Sequence, residues 1–325
     1  MVNEAYNLKP IGSKHGAYSR LQPQYKAVVD CYLNIHNDKG SLSAGSVLHN
    51  ASIACTFLCC MQNGGRTSLP EITEDDVIRF FIQGGKPKYA TGYRYHLSEF
   101  LRDVSDKYPE CKKIADWFPY IRVTHKNIQY LTDEEVQAVK DVCMDDASEL
   151  SYQTKAVGMI LLYTGLRACD IANLRMDSID WEKETISVTQ SKTDVPLTIP
   201  MHVNAGNTIY DYITKERSSE SDYLFVTKKN VPFKSSDVSY CATKIFKTAD
   251  IRQNKTDRKG THIFRHHLAT KLLENEVAQP VISQTLGHTD PVSVQTYLSA
   301  DIKHLRQCTL SIEDYSLDWE VFDNA

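Results

Sequence analysis

Thr185-Ile186-Ser187-Val188-Thr189-Gln190 and Val195-Pro196-Leu197-Thr198-Ile199 are two β-branched runs, and Ser191-Lys192-Thr193-Asp194 lies between them. Short extended runs flanking a polar turn predict a β-hairpin, here with Lys192 at its turn. On either side the pattern is helical. A strongly apolar helix is expected from about Gln153 to Tyr163, and the chain returns to helices after Ile199. The fold class that follows is mainly α with one small β-hairpin or sheet.

Upstream of the hairpin, Thr132 and Glu135 have the spacing of a capping box, so a domain is expected to begin near Leu131. Residues 109–129 lack sustained periodicity and carry Lys112, Lys113, Arg122, Lys126 and Pro119, which reads as a linker. Between Pro23 and Tyr108 four amphipathic segments are ended by punctuation: about Pro23–Asn37, about Ser43–Gln62, a third opened by Thr73 and closed by Gly84 and Gly85, and a fourth from about Thr91 to Asp106. The predicted organisation is an N-terminal extension (1–22), a helical bundle (23–108), a linker (109–129), a mixed α/β domain (130–309) and a tail (310–325).

A chain of 325 residues with 42% hydrophobic composition can bury the cores of two such domains. The sequence shows no apolar run near the roughly 20 residues that cross a bilayer, and Met1 to Gln24 lacks a signal-peptide core. A cytoplasmic protein with no membrane partner is expected. Nine cysteines without a CxxC pair suit reduced, mostly buried thiols rather than a disulfide framework or a zinc ribbon. The formal net charge of −4 argues weakly against a nucleic-acid partner. Its distribution matters more: residues 1–128 are net positive, the remainder net negative, and five acids of that remainder (Glu313, Asp314, Asp318, Glu320, Asp323) sit in a tail without Lys or Arg. The tail also carries Tyr315, Leu317, Trp319, Val321 and Phe322, too apolar for a purely solvated run.

Three separated clusters carry the candidate chemistry: Thr164-Gly165-Leu166-Arg167 with Asp170, Thr261-His262-Ile263-Phe264-Arg265, and Leu286-Gly287-His288 followed nine residues later by Tyr297. Taken singly, each has a plain reading. Arg167 suits a helix face or C-terminus. His262 and Arg265, three apart on a helix, share a face and could meet one substrate, or form a structural pair. His262 and His266 have zinc-helix spacing, but the HExxH glutamate is missing and Arg265 stands between them, so core or solvent-facing histidines are the preferred reading and no metal is expected. Tyr297 is one of 18 tyrosines. Asp290 and Pro291, a plausible helix start, place it about two turns into a short helix after His288.

Taken together, the ordered series TGLRxxD, a hairpin lysine, HxxRHxxA, LGH and a tyrosine nine residues on resembles the tyrosine recombinase (phage integrase-like) family, over roughly Leu131 to Leu305. The resemblance implies Arg167 and Arg265 as paired phosphate clamps, Lys192 on the hairpin, His262, His288 and a nucleophilic Tyr297, with Asp170 supporting the first arginine. Aspartate at 170 and phenylalanine at 264 depart from the usual glutamate and leucine. By architecture, the helical bundle resembles the family's core-binding domain, which closes with the catalytic domain around DNA as a C-shaped clamp.

The chemistry is consistent with that resemblance. Phosphodiester attack creates a phosphorane with added negative charge, which two guanidinium forks can bond without a metal. A tyrosine of ordinary pKa near 10 must lose its proton as it attacks, His262 being the candidate acceptor, and the leaving 5′-hydroxyl needs a proton, with Lys192 the candidate donor. The expected protein is a site-specific recombinase of the simple two-domain type: an integrase or transposase of a mobile element, or a chromosomal resolvase. It would act on the nucleoid of a prokaryote through a 3′-phosphotyrosine bond, without ATP, metal or other cofactor. The expected partners are double-stranded DNA bearing specific sites and three further copies, forming a tetramer on DNA from a monomer or weak oligomer, with the tail passing to a neighbour. Lys86, Lys88, Arg94, Lys255, Arg258 and Lys259 are candidate phosphate contacts or solvated surface. The alternatives are a type IB topoisomerase-like relaxing enzyme and a non-catalytic DNA-binding regulator.

Overall fold

The computed structural model describes residues 16–39, 42–121, 128–191, 193–254 and 257–287. The chain divides into two compact units, Met1–His125 and Lys126–Ala325.

The first unit is helical: α1 (Ala17–Arg20), α2 (Pro23–Lys39), α3 (Ala44–Asn63), α4 (Glu74–Phe81), α5 (Thr91–Asp103) and α6 (Glu110–Asp116). Three of these starts have a local cause. Pro23 is the first residue of α2, where its missing N–H costs nothing. The Ser43 side chain caps α3, and Thr73 with Asp76 closes a capping box on α4. Gly84 and Gly85 end the third segment as expected, but as the turn of a minimal hairpin, β1 (Ile82–Gln83) against β2 (Lys86–Pro87), and both glycines have positive φ. Tyr25, Tyr32, Phe57, Phe81, Phe100 and Leu97 fill the core between these helices.

Two expectations change here. The stretch read as linker opens with a helix, α6, whose Cys111 and Ile114 are buried in the first core. Its seven residues are too few to announce themselves by periodicity. Secondly, α3 is long and apolar enough, with mean hydropathy 1.4, to cross a membrane by length and composition alone. Here Val47, Ala51, Ala54, Phe57, Leu58 and Met61 of α3 are buried in the first core.

In the second unit the Thr132 and Glu135 capping box is formed: Thr132 N donates to Glu135 Oε2 at 2.9 Å and Glu135 N to Thr132 Oγ1 at 3.2 Å, opening α7 (Asp133–Met144). The central helix is α8 (Tyr152–Thr164), buried on nearly every side, as its continuous apolar sequence requires. It packs against α7, α10 (Val203–Lys215), α11 (Ser235–Thr248) and α12 (His262–Glu274). Gly158 sits at the α11 crossing, where an added Cβ would lie 2.5 Å from Ile245 Cδ1. After α8 come α9 (Ala168–Ala172) and the sheet, and α13 (Gln279–Leu286) follows α12.

The hairpin is present as β4 (Thr185–Thr189) and β5 (Pro196–Pro200), antiparallel, with Ile186 opposite Ile199 and Val188 opposite Leu197. A two-residue strand, β3 (Ile179–Asp180), adds to β4 and makes a three-stranded sheet. Ile179, Ile186, Val188 and Ile199 turn inward to the second core, the alternation that fixes register in a sheet covered on one face. Of the nine cysteines, the eight described are free thiols, and six of them are buried.

Candidate functional site

Two glycine-ended helices build the site. α8 ends at Gly165 (φ +58°) and α13 at Gly287 (φ +62°), both left-handed caps that β-carbon-bearing residues reach only at a cost. Their last carbonyls point at guanidinium groups. Arg265, on α12 and 4% exposed, donates from Nη1 to Gly165 O at 3.1 Å and from Nη2 to Leu286 O at 2.6 Å. Arg167, the residue that caps α9, donates from Nη2 to Gly287 O at 3.2 Å and from Nη1 to Gln190 Oε1 at 2.7 Å. Helix C-termini carry negative partial charge, so they are natural seats for cations. The two arginines, 98 positions apart in sequence, thus converge on neighbouring carbonyls at 286 and 287, and the Arg167 side chain keeps 15% of its surface exposed.

Asp170 is fully buried on α9. Its Oδ1 accepts from Ser191 N at 2.9 Å, the backbone at the base of the hairpin turn, and its Oδ2 lies 3.9 Å from Arg167 Nη1. The carboxylate therefore holds the turn and faces the arginine at once. His262 begins α12 and is exposed. His267 is buried, with Nδ1 2.9 Å from Leu131 O.

Burial, reinforced by the neighbouring His262, Arg258 and Arg265, pushes His266 down to about 4. A histidine depressed in the folded state takes up a proton on unfolding, so stability falls as pH drops from about 6.5 towards 4. His266→Gln is expected to flatten that decline. Denaturant melts across pH 4–7 measure it, and an unchanged slope would show that His266 does not contribute.

Among the expected DNA contacts, Lys86 and Lys88 are exposed, and Lys88 Nζ lies over the Tyr89 ring. Arg94 is half-buried and donates to Pro119 O at 2.9 Å. Arg258 and Lys259 are exposed shortly before α12, and Arg258 N donates to Gln129 Oε1 at 2.8 Å. Lys192, Lys255, His288, Tyr297 and the tail from Leu310 lie outside the described residues. Sequence reading passed over Gln190. A glutamine two positions before the hairpin lysine was a signal in view, but its partners Arg167 and Leu286 lie 23 and 96 positions away.

Fold and site together define a class: the second unit has the fold of a tyrosine-recombinase catalytic domain, preceded by a helical unit. The chain belongs to the phage integrase family, whose model matches residues 129–304. It is 31% identical over 183 residues to the putative integrase/recombinase y4gC of Sinorhizobium fredii, covering 56% of this chain and 94% of that one. Over 199 residues it is 26% identical to the tyrosine recombinase XerC of Listeria monocytogenes, covering 58% of this chain and 65% of that protein. Among solved structures, the integrase of transposon Tn1549 in complex with transposon right end DNA superposes with a TM-score of 0.64 at 14% identity, covering 87% of this chain and 99% of that one. A lambda integrase dimer bound to a core site gives 0.62 at 17% identity, covering 82% and 95%. At such identities the likeness is one of fold.

Proposed function

We propose that this chain is a site-specific DNA recombinase that cuts and rejoins strands through a 3′-phosphotyrosine bond at Tyr297. The observation that carries the reading is the convergence of Arg167 and Arg265 on the carbonyls that end α13. Two guanidinium groups held side by side repel one another, and a bound phosphate relieves that repulsion.

Tyr297 Oη attacks the scissile phosphorus. The Oη–P bond forms as the P–O5′ bond breaks, the phenolic proton passes to His262, and Lys192 delivers a proton to the departing 5′-oxygen. Arg167 and Arg265, with His288, stabilise the extra charge of the phosphorane through its nonbridging oxygens. Asp170 keeps the hairpin base and Arg167 in register through its contacts with Ser191 N and the guanidinium. A 5′-hydroxyl from another strand then attacks the phosphotyrosine, and the bond energy is conserved through the exchange.

Strand exchange requires four protomers on two duplexes, and the tail from Leu310 is the proposed link to a neighbour. A mobile-element integrase or transposase is the proposed setting, supported by the family and by the fold shared with a transposon integrase. Lys86 and Lys88, exposed on the first unit, are proposed phosphate contacts whose removal lowers the salt dependence of binding.

A supercoiled plasmid carrying two copies of the DNA that flanks this chain's own gene tests the proposal. Recombinant junctions are expected. Relaxation of a plasmid lacking those flanks, without junctions, would support a topoisomerase reading in its place.

A further inference from the structure

Gln190 is a wholly buried polar side chain placed where three segments meet. Its Oε1 accepts from Arg167 Nη1 at 2.7 Å and from Thr193 Oγ1 at 3.0 Å, while Nε2 donates to Leu286 O at 3.2 Å. The chemistry of these partners leaves one orientation of the amide, since a guanidinium and a hydroxyl face one end and a carbonyl the other. The backbone of the same residue forms the neck of the hairpin turn: Gln190 N donates to Val195 O, and Gln190 O accepts from Asp194 N at 2.8 Å. The close fit continues at Gly287, where an added Cβ would lie 2.0 Å from Gln190 Oε1. One residue therefore touches the guanidinium of Arg167, the base of the turn that contains Lys192, and the helix end that precedes His288.

We propose that Gln190 is a positioning residue that couples the phosphate-clamping Arg167 to the hairpin turn bearing Lys192, so that clamp and general acid are aligned together. This rests on the recombinase reading above. A neutral amide suits the task because it is at once acceptor and donor. Leucine of similar size satisfies neither Arg167 nor the Leu286 carbonyl. Glutamate keeps the acceptor but sets an anionic oxygen against that carbonyl.

The test uses the full chain and nicked duplexes made from the DNA flanking its own gene, in two forms: an ordinary phosphodiester, and one with sulfur in place of the bridging 5′-oxygen. The sulfur leaves as a thiolate and needs no general acid. Gln190→Leu is expected to bind DNA like the wild type and to cleave the ordinary duplex ~100-fold more slowly, the scale of loss for a misplaced reacting group. Lys192→Met is expected to recover fully on the sulfur substrate, whereas Gln190→Leu recovers only in part because its clamp is also displaced. Should Gln190→Leu fail to fold, the same-sized Gln190→Glu decides, with an expected loss of about tenfold or more on the ordinary duplex. Wild-type cleavage rates in the folded variant, or full recovery of Gln190→Leu on sulfur, would overturn the coupling alone. Absence of any adduct from the wild-type chain would overturn the recombinase reading and the coupling with it.

Discussion

Arg265→Ala is expected to cut strand cleavage by at least about 10³-fold, the upper range for loss of one preorganised donor at a developing anion. The same change should cost about 1–3 kcal/mol of stability, because Gly165 O loses its donor, whereas Leu286 O keeps the Nε2 of Gln190. Those carbonyls, Gly165 O and Leu286 O, end α8 and α13, and a side chain only 4% exposed joins them. Arg265→Lys keeps the charge, but a single ammonium on a flexible stem cannot span both carbonyls as a planar fork does, so it should regain part of the stability and little of the rate. Single-turnover cleavage and denaturant melts measure the two effects. Wild-type cleavage in Arg265→Ala would remove the arginine from the site.

Gly287→Ala should damage the site nearly as severely while leaving the second unit folded. The residue adopts φ +62°, which costs a β-carbon-bearing side chain roughly 1 kcal/mol. The larger effect is steric. The new methyl would lie 2.0 Å from Gln190 Oε1 and 2.2 Å from its Nε2, so the amide must leave both Arg167 and Leu286 O. A fall in cleavage of about 100-fold with nearly unchanged DNA affinity is expected, since in protein–DNA interfaces at large most hydrogen bonds go to phosphate and sugar along the whole interface. Gly165→Ala is the comparison: its Cβ would meet the flexible end of Leu268 at 2.9 Å, which can shift. Its loss should be smaller. Equal losses at the two glycines would argue that backbone conformation, and not the Gln190 contact, sets the effect.

How far the sequence disclosed this molecule depends on whether each feature is local. The helix start at Thr132 was legible because a capping box is written within four residues, and the one at Thr73 because Glu74, Asp75 and Asp76 follow it in the first turn. The β4–β5 hairpin was legible because its alternation and turn are contiguous, whereas β3 is two residues long and exists through its pairing with β4. α6 was lost in a stretch that began with Pro109, since its burial depends on a core assembled from distant helices. Arg167, Asp170 and Arg265 were recognised by their order along the chain, and the structure brings all three to the ends of α8, α13 and the hairpin turn. Gln190 and the close fit of Gly287 against it depend on contacts nearly a hundred positions apart, which no local pattern encodes. The bond from Arg94 to the Pro119 carbonyl was likewise not legible, since it joins positions 25 apart.

The proposed chemistry turns on a covalent bond between Tyr297 and DNA. The full chain, incubated with nicked duplex from its gene's flanks, denatured and digested, should yield a peptide containing Tyr297 joined to a 3′-phosphoryl nucleotide. Tyr297→Phe should bind the same DNA and yield none. An adduct that persists in Tyr297→Phe, or one carried by a different residue of the wild-type chain, would contradict the account.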